Sequence, residues 1–226
     1  ATSEDADVVT HNPTNLGFAR ACNQGAAAVP EAETLVFLNN DTEVAPGWLP
    51  ALRKSLGMPK AGIAGAFLHY PGGDTQHAGV DFIQQPPISA FNILELRPPG
   101  YVPAVTGACM AVRRKVFDAL DGFDEGYWNG YEDVDLCLRA QTIGWKTYYD
   151  PASQVMHLES QSGPERWTGV GNNIERLQSR FNHLVSFQDG PVAILIPAMR
   201  ANRLLDLVDN IEAVTPEPHR THIMVK

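Results

Sequence analysis

Cysteines, basic residues and long apolar runs are all scarce in this sequence. Three cysteines in 226 residues, an odd number set far apart, argue against a disulfide framework. No apolar run reaches the roughly 18 residues that a membrane-spanning helix requires, and the opening ATSEDADVV lacks the basic start and apolar stretch of a signal peptide. We therefore expect a cytoplasmic protein without a transmembrane segment, with peripheral membrane contact left open.

Acidic residues outnumber basic ones, 26 to 17, which gives a formal net charge of −9. Because nucleic-acid binding needs a basic face to neutralise phosphates, this charge argues against a nucleic-acid partner. A diphosphate ligand would have to be neutralised locally, and a bound divalent cation is the simplest way to do so. Apolar residues make up 44% of the chain and can fill one sizeable core, so a globular domain is expected.

Several familiar site motifs are missing. The sequence has no HExxH, which argues against a zinc site held by the protein alone. It also has no GxGxxG and no GxxxxGK[ST], which argues against dinucleotide-binding and P-loop sites. A phosphate-bearing ligand would therefore depend on a metal ion.

Alternating helix and strand patterns in the first half of the chain are typical of an α/β fold with a mixed, mainly parallel sheet flanked by helices. Short apolar runs predict the strands, and helical periodicity with proline or acidic starts predicts the helices. Strands are expected over 34–38, 61–68, 108–112 and 145–149, and helices over 15–28, from Pro46 to Leu56, from about Arg113 onward, and over 132–143.

Two stretches show little periodicity. Residues 71–103 are rich in proline and glycine, and we expect an irregular excursion over the sheet that serves as a lid or an acceptor-binding loop. Residues 161–171 are polar and contain glycine, so a loop is expected there.

The end of the chain has the pattern of a strand, a helix and a strand. Residues 191–196 are a strongly apolar run that Pro197 is expected to end, followed by a helical pattern over 202–214 and a second strand over 221–225. Such a unit normally opens an α/β domain, and here it comes last.

A carboxylate directly follows the first predicted strand, TLVFL. Asp41 stands in the run Asn39-Asn40-Asp41-Thr42, at the end of the strand, where open α/β sheets bind their ligands. An oxygen ligand there suits a hard cation such as Mg²⁺ or Mn²⁺. The alternative is a plain turn, since these residue types all favour turns.

A second acidic cluster, Glu132, Asp133 and Asp135, opens a predicted helix. Acidic residues in a first turn commonly complement the helix dipole. A short carboxylate on a rigid helix start can also act as a general base. Adjacent side chains point about 100° apart, so one can face a site while the other anchors structure. His157, after a later strand, is either a metal ligand or a structural histidine.

Five segments, taken in order, resemble the inverting family-two glycosyltransferases, in particular the rhamnosyltransferase-like branch. They are NLGFARACNQG from Asn15, LVFLNNDTEVAPGWL from Leu35, TQHAGV from Thr75, the long segment from Val105 to Trp145, and VMHLES from Val155. The resemblance covers roughly residues 12–160. It implies the GT-A fold, a single α/β domain built on a Rossmann-like, nucleotide-binding sheet.

The resemblance also implies roles for individual residues around the donor. The segment from Asn39 to Asp41 matches the family's DxD-like motif without its first carboxylate, so Asp41 alone would hold the metal at that motif. His157 would complete the metal site. Gly107 and Ala108 resemble the small residues that lie beside the donor sugar.

The family's ED motif falls on Glu132 and Asp133. Asp133 is therefore the implied catalytic base, with Glu132 as its neighbour near the acceptor.

The tail PVAILIPAMRANRLLDLVDNIE resembles the family's opening strand and helix, which bind the nucleotide, and this would bring Pro197 to the donor. We expect residues 1–188 to form the main part of the domain and residues 189–226 to complete its sheet in permuted order. Circular permutation, a truncated second domain, strand exchange between copies and a numbering that departs from the native chain all remain as explanations.

The function implied by the resemblance is transfer of a sugar from a nucleoside-diphosphate donor, with Mn²⁺ or Mg²⁺, to a hydroxyl of a glycan, lipid-linked or other acceptor with inversion. One alternative is a metal-dependent nucleotide-sugar hydrolase or nucleotidyltransferase, which would transfer no sugar to an added acceptor. The other is a catalytically silent nucleotide- or carbohydrate-binding module, which would bind without turnover.

Overall fold

The structure, a computed structural model, describes residues 8–83, 87–158, 169–186, 192–198 and 219–225. The chain divides into two compact units, residues 1–182 and residues 183–226. Within the described ranges, no helix combines the length and the apolar character needed to cross a membrane.

The first unit is a mixed α/β structure, which confirms the predicted fold class. Its helices are α1 (Phe18–Ala27), α2 (Trp48–Leu56), α3 (Arg114–Ala119), α4 (Glu132–Thr142) and α5 (Val170–Ser186), the last of which ends beyond the unit boundary. Its strands are β1 (Thr34–Leu38), β2 (Thr42–Val44), β3 (Ala61–His69), β4 (Thr75–His77), β5 (Val80–Ile83), β6 (Ser89–Asn92), β7 (Gly100–Val102), β8 (Cys109–Arg113) and β9 (Lys146–His157).

Seven of these strands form one mixed sheet in the order β1-β8-β3-β9-β2, with β4 beside β3 and β7 beside β9. Strands β3 and β9 are parallel, and the other described pairs in this sheet are antiparallel. The sheet was expected to be mainly parallel, whereas among these pairs only the central one, β3 with β9, is parallel. The short strands β2, β4 and β7 run against their neighbours, and they were not among the predicted strands.

The core lies on both sides of β3, which is buried along nearly its whole length. Because side chains alternate between the faces of a strand, Ala64, Ala66 and Leu68 point the same way, and they pack against Leu52 and Leu56 of α2. Burying these apolar surfaces contributes most of the stability of such a layer.

The face of β1 that carries Phe37 packs on an aromatic cluster. Phe37 lies 4.9 Å from Phe123 and 5.3 Å from Phe117 of α3, measured between ring centroids. Phe18 of α1 meets the edge of Phe123 at 5.6 Å. This aromatic packing joins α1 and α3 to the sheet beside the strand end that leads to Asp41.

The excursion over residues 71–103 is more regular than its sequence indicates. It contains β4 and β7, which extend the main sheet, and the antiparallel hairpin of β5 and β6. These strands have three or four residues each, which is too short for a periodic pattern to show.

Strand β9 runs on to His157, well beyond the predicted end at Tyr149. Its pairing with β3 shifts register after Asp150, where Asp150 lies opposite Ala66 and Gln154 opposite Phe67. This bulge accommodates Pro151, a residue type that usually interrupts a strand. The bulge allows the strand to resume and bring His157 to the sheet edge.

Helix α5 was not predicted, and most of the loop expected over 161–171 lies outside the described residues. The helix begins at Val170. Its buried residues Leu177 and Phe181 are four positions apart, which is the spacing of one helical face.

The second unit contains strands β10 (Val192–Ala198) and β11 (His219–Val225), which pair in parallel from Val192 opposite His219 to Ala198 opposite Val225. Both strands were predicted, but β10 continues through Pro197 instead of ending there. The helix expected over 202–214 lies outside the described residues. Completion of the first unit's sheet by residues 189–226 in permuted order stays a prediction.

Candidate functional site

Five chain segments surround a cavity of about 460 Å³. They are the start of α1, the end of β1, the residues that lead into β8, the residues that lead into α4, and the end of β9. The predicted site residues that line this cavity are Asn39, Asn40, Asp41, Gly107, Ala108, Glu132, Asp133 and His157. Pro197 belongs to the second unit, and its role at the donor stays a prediction.

The turn after β1 places Asp41 beside His157. Thr42 donates from its hydroxyl to the carbonyl of Asn39 at 2.6 Å, and Leu158 donates its backbone N–H to the carbonyl of Asp41 at 2.9 Å. Thr42 of β2 pairs with His157 of β9, and this pairing brings the side chains of Asp41 and His157 together. Asp41 Oδ1 lies 3.1 Å from His157 Nε2. The run is therefore a turn, as its composition indicates, and the same turn presents the carboxylate to the cavity.

These two side chains fit a hard divalent cation. The Nδ1 atom of His157 lies 2.8 Å from Gln76 Oε1, an acceptor, so in the neutral ring a hydrogen bond there places the proton on Nδ1 and leaves Nε2 with a lone pair. That lone pair and the carboxylate oxygen, 3.1 Å apart, match the edge of about 3.0 Å expected between neighbouring ligands of Mg²⁺ bound at 2.1 Å. The Asn39 amide nitrogen lies 3.3 Å from the same Nε2.

The protein supplies only part of a coordination sphere. Among the described ranges, no group of three or more His, Cys, Asp or Glu side chains forms a metal site by itself. A six-coordinate cation at Asp41 and His157 would take its remaining ligands from water or from a bound substrate.

Asp133 is held at both carboxylate oxygens. Gly107 donates its backbone N–H to Oδ2 at 2.7 Å, and Val134 donates to Oδ1 at 2.8 Å. Burial raises the pKa of Asp133 above its ordinary value, although these hydrogen bonds act in the opposite direction. Gly107 has little room for a side chain, since a Cβ atom there would lie 3.0 Å from the Phe18 ring and 3.4 Å from Asp133 Cβ.

Glu132 is buried next to Asp133 at the start of α4. It accepts a hydrogen bond from the backbone N–H of Gly130 at 2.6 Å. Burial and the neighbouring charge of Asp133 raise the pKa of Glu132 to about 7. Near neutral pH the two adjacent carboxyl groups therefore carry fewer than two full negative charges between them.

The third acidic residue of the cluster has a structural role. Asp135 is fully buried and is bound by Arg139 and Arg180, and Tyr127 donates its hydroxyl to it at 3.2 Å. A buried carboxylate with two cation partners is a fixed ion pair. This network ties α5 to α4 beneath the site.

Residues 128–131, here called the site loop, hold an unusual backbone. Asn129, Gly130 and Tyr131 all have positive φ, at 49°, 146° and 71°. Left-handed conformations are costly for non-glycine residues and persist only where neighbours enforce them.

The buried Asn173 of α5 enforces that conformation. Its amide donates to the carbonyls of Trp128 and Gly130 at 2.8 and 3.0 Å, and its oxygen accepts the Trp128 N–H at 3.2 Å. The Asn-Gly pair in the sequence indicates a turn, but nothing local points to Asn173.

A second cavity, of about 330 Å³, adjoins the first and shares Thr106, Asn129, Gly130 and Asp133 with it. Its other lining residues are mostly apolar and come from the β5–β6 hairpin, α4 and the start of α5, namely Val80, Ala90, Phe91, Asn92, Tyr131, Val134 and Val170. Asp133 thus stands between two cavities.

A larger cavity of about 700 Å³ lies against α1 and α3 and contains none of the predicted site residues. Its arginines are already engaged. Arg114 donates to backbone carbonyls near the end of α1, and Arg180 pairs with Asp124 and Asp135. We therefore assign structural roles to Arg114 and Arg180.

Comparison with known proteins gives one family. Residues 8–121 match the family model described as glycosyl transferase family 2. The O-antigen biosynthesis protein RfbC of Myxococcus xanthus is 36% identical over 161 residues, which are 63% of this chain and 12% of that protein. The N-acetylglucosaminyl-diphospho-decaprenol L-rhamnosyltransferase of Mycobacterium tuberculosis is 29% identical over 179 residues, covering 66% of this chain and 57% of that protein.

A solved structure shares the fold. The crystal structure of GalNAc-T7 with UDP, GalNAc and Mn²⁺ superimposes with a TM-score of 0.53 and 20% sequence identity, over 65% of this chain and 31% of that chain. At that identity the likeness shows the fold alone, the GT-A arrangement. The chain spans only part of the length of these relatives, from 12% to 57%.

Proposed function

Because the chain belongs to glycosyl transferase family 2, we propose that it transfers a sugar from a nucleoside-diphosphate donor to a hydroxyl of a glycan or lipid-linked acceptor, with inversion at the anomeric carbon. The observation that carries the proposal is the position of Asp133, which lines two adjoining cavities. One cavity also holds Asp41 and His157, and the residues that line only the other are mostly apolar. This arrangement supports a donor on one side of the carboxylate and an acceptor on the other.

Asp41 and His157 are the residues that would hold Mn²⁺ or Mg²⁺ in the donor cavity. When bound, the cation would supply positive charge to the diphosphate that leaves the sugar. The backbone around Gly107 and Ala108 would lie beside the donor, where small side chains leave room for a sugar. Asn39 and Asn40 offer amide groups for hydrogen bonds to the same ligand.

Asp133 is the proposed general base. It would accept the proton of the acceptor hydroxyl as that oxygen attacks the anomeric carbon from the face opposite the diphosphate, which inverts the configuration. Hydrogen bonds at both oxygens hold the carboxylate in one orientation. Its raised pKa makes it a stronger proton acceptor than an exposed aspartate. Glu132, hydrogen-bonded to the site loop, would keep the neighbouring backbone in place.

A direct test screens UDP-, GDP- and dTDP-linked sugars with Mn²⁺ for donor consumption, with and without saccharide and polyprenyl-linked acceptors. We expect a product of inverted configuration, identified by NMR. Asp133→Asn should lower kcat by about 10²- to 10⁴-fold and leave nucleotide affinity unchanged. Asp74→Asn, at an exposed position outside both cavities, is the matched control. Unchanged turnover in Asp133→Asn would rule out the base, and sugar release without any transfer would favour a hydrolase.

The metal assignment has its own test. Asp41→Ala removes one of two protein ligands, so nucleoside diphosphate binding should lose its dependence on Mn²⁺ in isothermal titration. Equal affinity with and without Mn²⁺ in the unaltered protein would remove the metal from the proposal.

A further inference from the structure

Strand β4 carries two consecutive buried polar side chains that the proposed reaction does not use directly. Gln76 is 6% exposed and His77 is 1% exposed. A buried polar group is costly unless its hydrogen-bonding atoms are satisfied, so the partners of these residues are informative. The partners lie on opposite sides of the site.

Gln76 contacts the proposed metal ligand His157. Its Oε1 lies 2.8 Å from His157 Nδ1, and its amide donates to the His157 carbonyl over a longer distance, 3.4 Å. The second contact orients the amide so that its oxygen faces the ring. In a neutral ring Nδ1 then carries the proton, which leaves the Nε2 lone pair on the side of Asp41, 3.1 Å away, where a cation would lie between these two acceptors.

His77 contacts the other half of the site. The backbone N–H of Thr106 donates to its Nε2 at 3.2 Å, so this nitrogen must be an acceptor. Nδ1 then carries the proton and faces Asn92 Oδ1 at 3.2 Å. Burial lowers the pKa of His77 to about 4, which keeps this neutral form. The next backbone N–H along the chain, that of Gly107, donates to Asp133.

We propose that Gln76 and His77 are a positioning pair: Gln76 holds His157 in the tautomer that presents Nε2 to a cation, and His77 holds the Thr106–Gly107 backbone against Asp133. One short strand thereby sets the geometry of both the metal ligand and the base. Residues that orient a ligand in this way typically change metal affinity by 10- to 100-fold when replaced. The catalytic consequence rests on the proposed function, whereas the tautomer and the backbone contacts can be measured without turnover.

The Gln76 half is tested by the ring nitrogens of His157. Long-range ¹H–¹⁵N NMR at a pH where the ring is neutral should show Nδ1 protonated in the unaltered protein and a mixture of tautomers in Gln76→Leu. Gln76→Glu, whose carboxylate can accept the same proton, should restore the Nδ1–H form. Gln141→Leu, an exposed glutamine bonded to a distant carbonyl, should change nothing.

Binding of Mn²⁺ alone, followed by electron paramagnetic resonance, should weaken by about 10- to 100-fold in Gln76→Leu. If Gln76→Leu does not fold, Gln76→Asn tests the same contact, because its side chain is one methylene shorter and its amide oxygen lies farther from His157 Nδ1. An unaltered His157 tautomer together with unaltered Mn²⁺ affinity would overturn the Gln76 half.

The His77 half is tested by amide hydrogen exchange. His77→Phe fills similar space but offers no acceptor to Thr106. Exchange at Thr106 and Gly107 should become about tenfold faster, consistent with loss of one hydrogen bond. Mn²⁺ affinity should stay at the level of the unaltered protein. Unchanged exchange at both amides, or a loss of Mn²⁺ affinity as large as in Gln76→Leu, would overturn the assignment.

Discussion

Replacing Glu132 with glutamine should stabilise the protein, and the gain should grow with pH. Glu132 is 6% exposed, and its pKa is raised from 4.5 to about 7 by burial and by Asp133. Among the described residues it has no cation partner. Glutamine keeps the shape and can still accept the Gly130 N–H, but it carries no charge. The variant therefore isolates the cost of a buried carboxylate.

The sign and size follow from proton linkage. A carboxyl group whose folded pKa is raised contributes its full stability below the unfolded pKa of 4.5 and loses it as the pH rises to about 7. At about 1.4 kcal/mol for each pH unit between the two pKa values, the full loss is about 3 kcal/mol. The advantage of Glu132→Gln should be under about 1 kcal/mol at pH 5 and approach about 3 kcal/mol at pH 8.5.

The assay is urea denaturation without divalent metal, followed by tryptophan fluorescence and circular dichroism from pH 5 to pH 8.5. Glu125→Gln is an informative control because hydrogen bonds from Asn23 and Arg20 lower the pKa of that exposed carboxyl. Its replacement should cost stability at neutral pH, and the cost should fade in acid. A gain in Glu132→Gln that is the same at pH 5 and pH 8.5 would refute the reasoning.

Two further predictions concern packing and the site loop. Gly65→Ala should lower the free energy of unfolding by about 1–3 kcal/mol, because the added Cβ would lie 2.4 Å from Val105 Cβ. Gly72→Ala, where a Cβ would meet nothing within 4 Å, should leave the free energy of unfolding unchanged in the same urea titration. Equal stabilities of the two variants would contradict the close packing at Gly65. Asn173→Ala removes three hydrogen bonds to the site loop and should cost about 2–3 kcal/mol. It should also speed amide exchange in that loop, with exposed Asn172→Ala as control; unaltered loop exchange would argue against its role.

The most accurate sequence-based predictions concerned elements that are determined by their own local sequence. Strand β1 was placed at its observed bounds, because TLVFL is a short apolar run closed by turn-forming residues. Helix α4 was placed to within one residue, because its acidic start and apolar positions mark both the first turn and the buried face. Asp41 and Asp133 were singled out partly for the same reason, since each stands at the boundary of such an element, whereas their roles were taken from the family resemblance and stay predictions.

The features that were not predicted are an element and contacts that depend on distant parts of the chain. Helix α5 opens with Gly171, Asn172 and Asn173, which favour loops in isolation, although Leu177 and Phe181 have helical spacing. Asn173 is buried because the site loop uses all of its hydrogen-bonding groups. Gln76 meets His157 across 81 residues of chain, and no local pattern signals such a contact.

The first turn of α4 shows how the fold separates structural charge from charge left for ligands. Asp135 faces Arg139 and Arg180, so its charge is neutralised within the protein. Within the described part of the chain, Glu132 and Asp133 have no such cation, and both line the cavity proposed to hold the donor. Burial raises both pKa values, and the neighbouring charge of Asp133 raises that of Glu132 further. A cation near the donor and a proton from the acceptor would each offset the cost of these buried charges, so the features that destabilise this helix start are those that favour both proposed substrates.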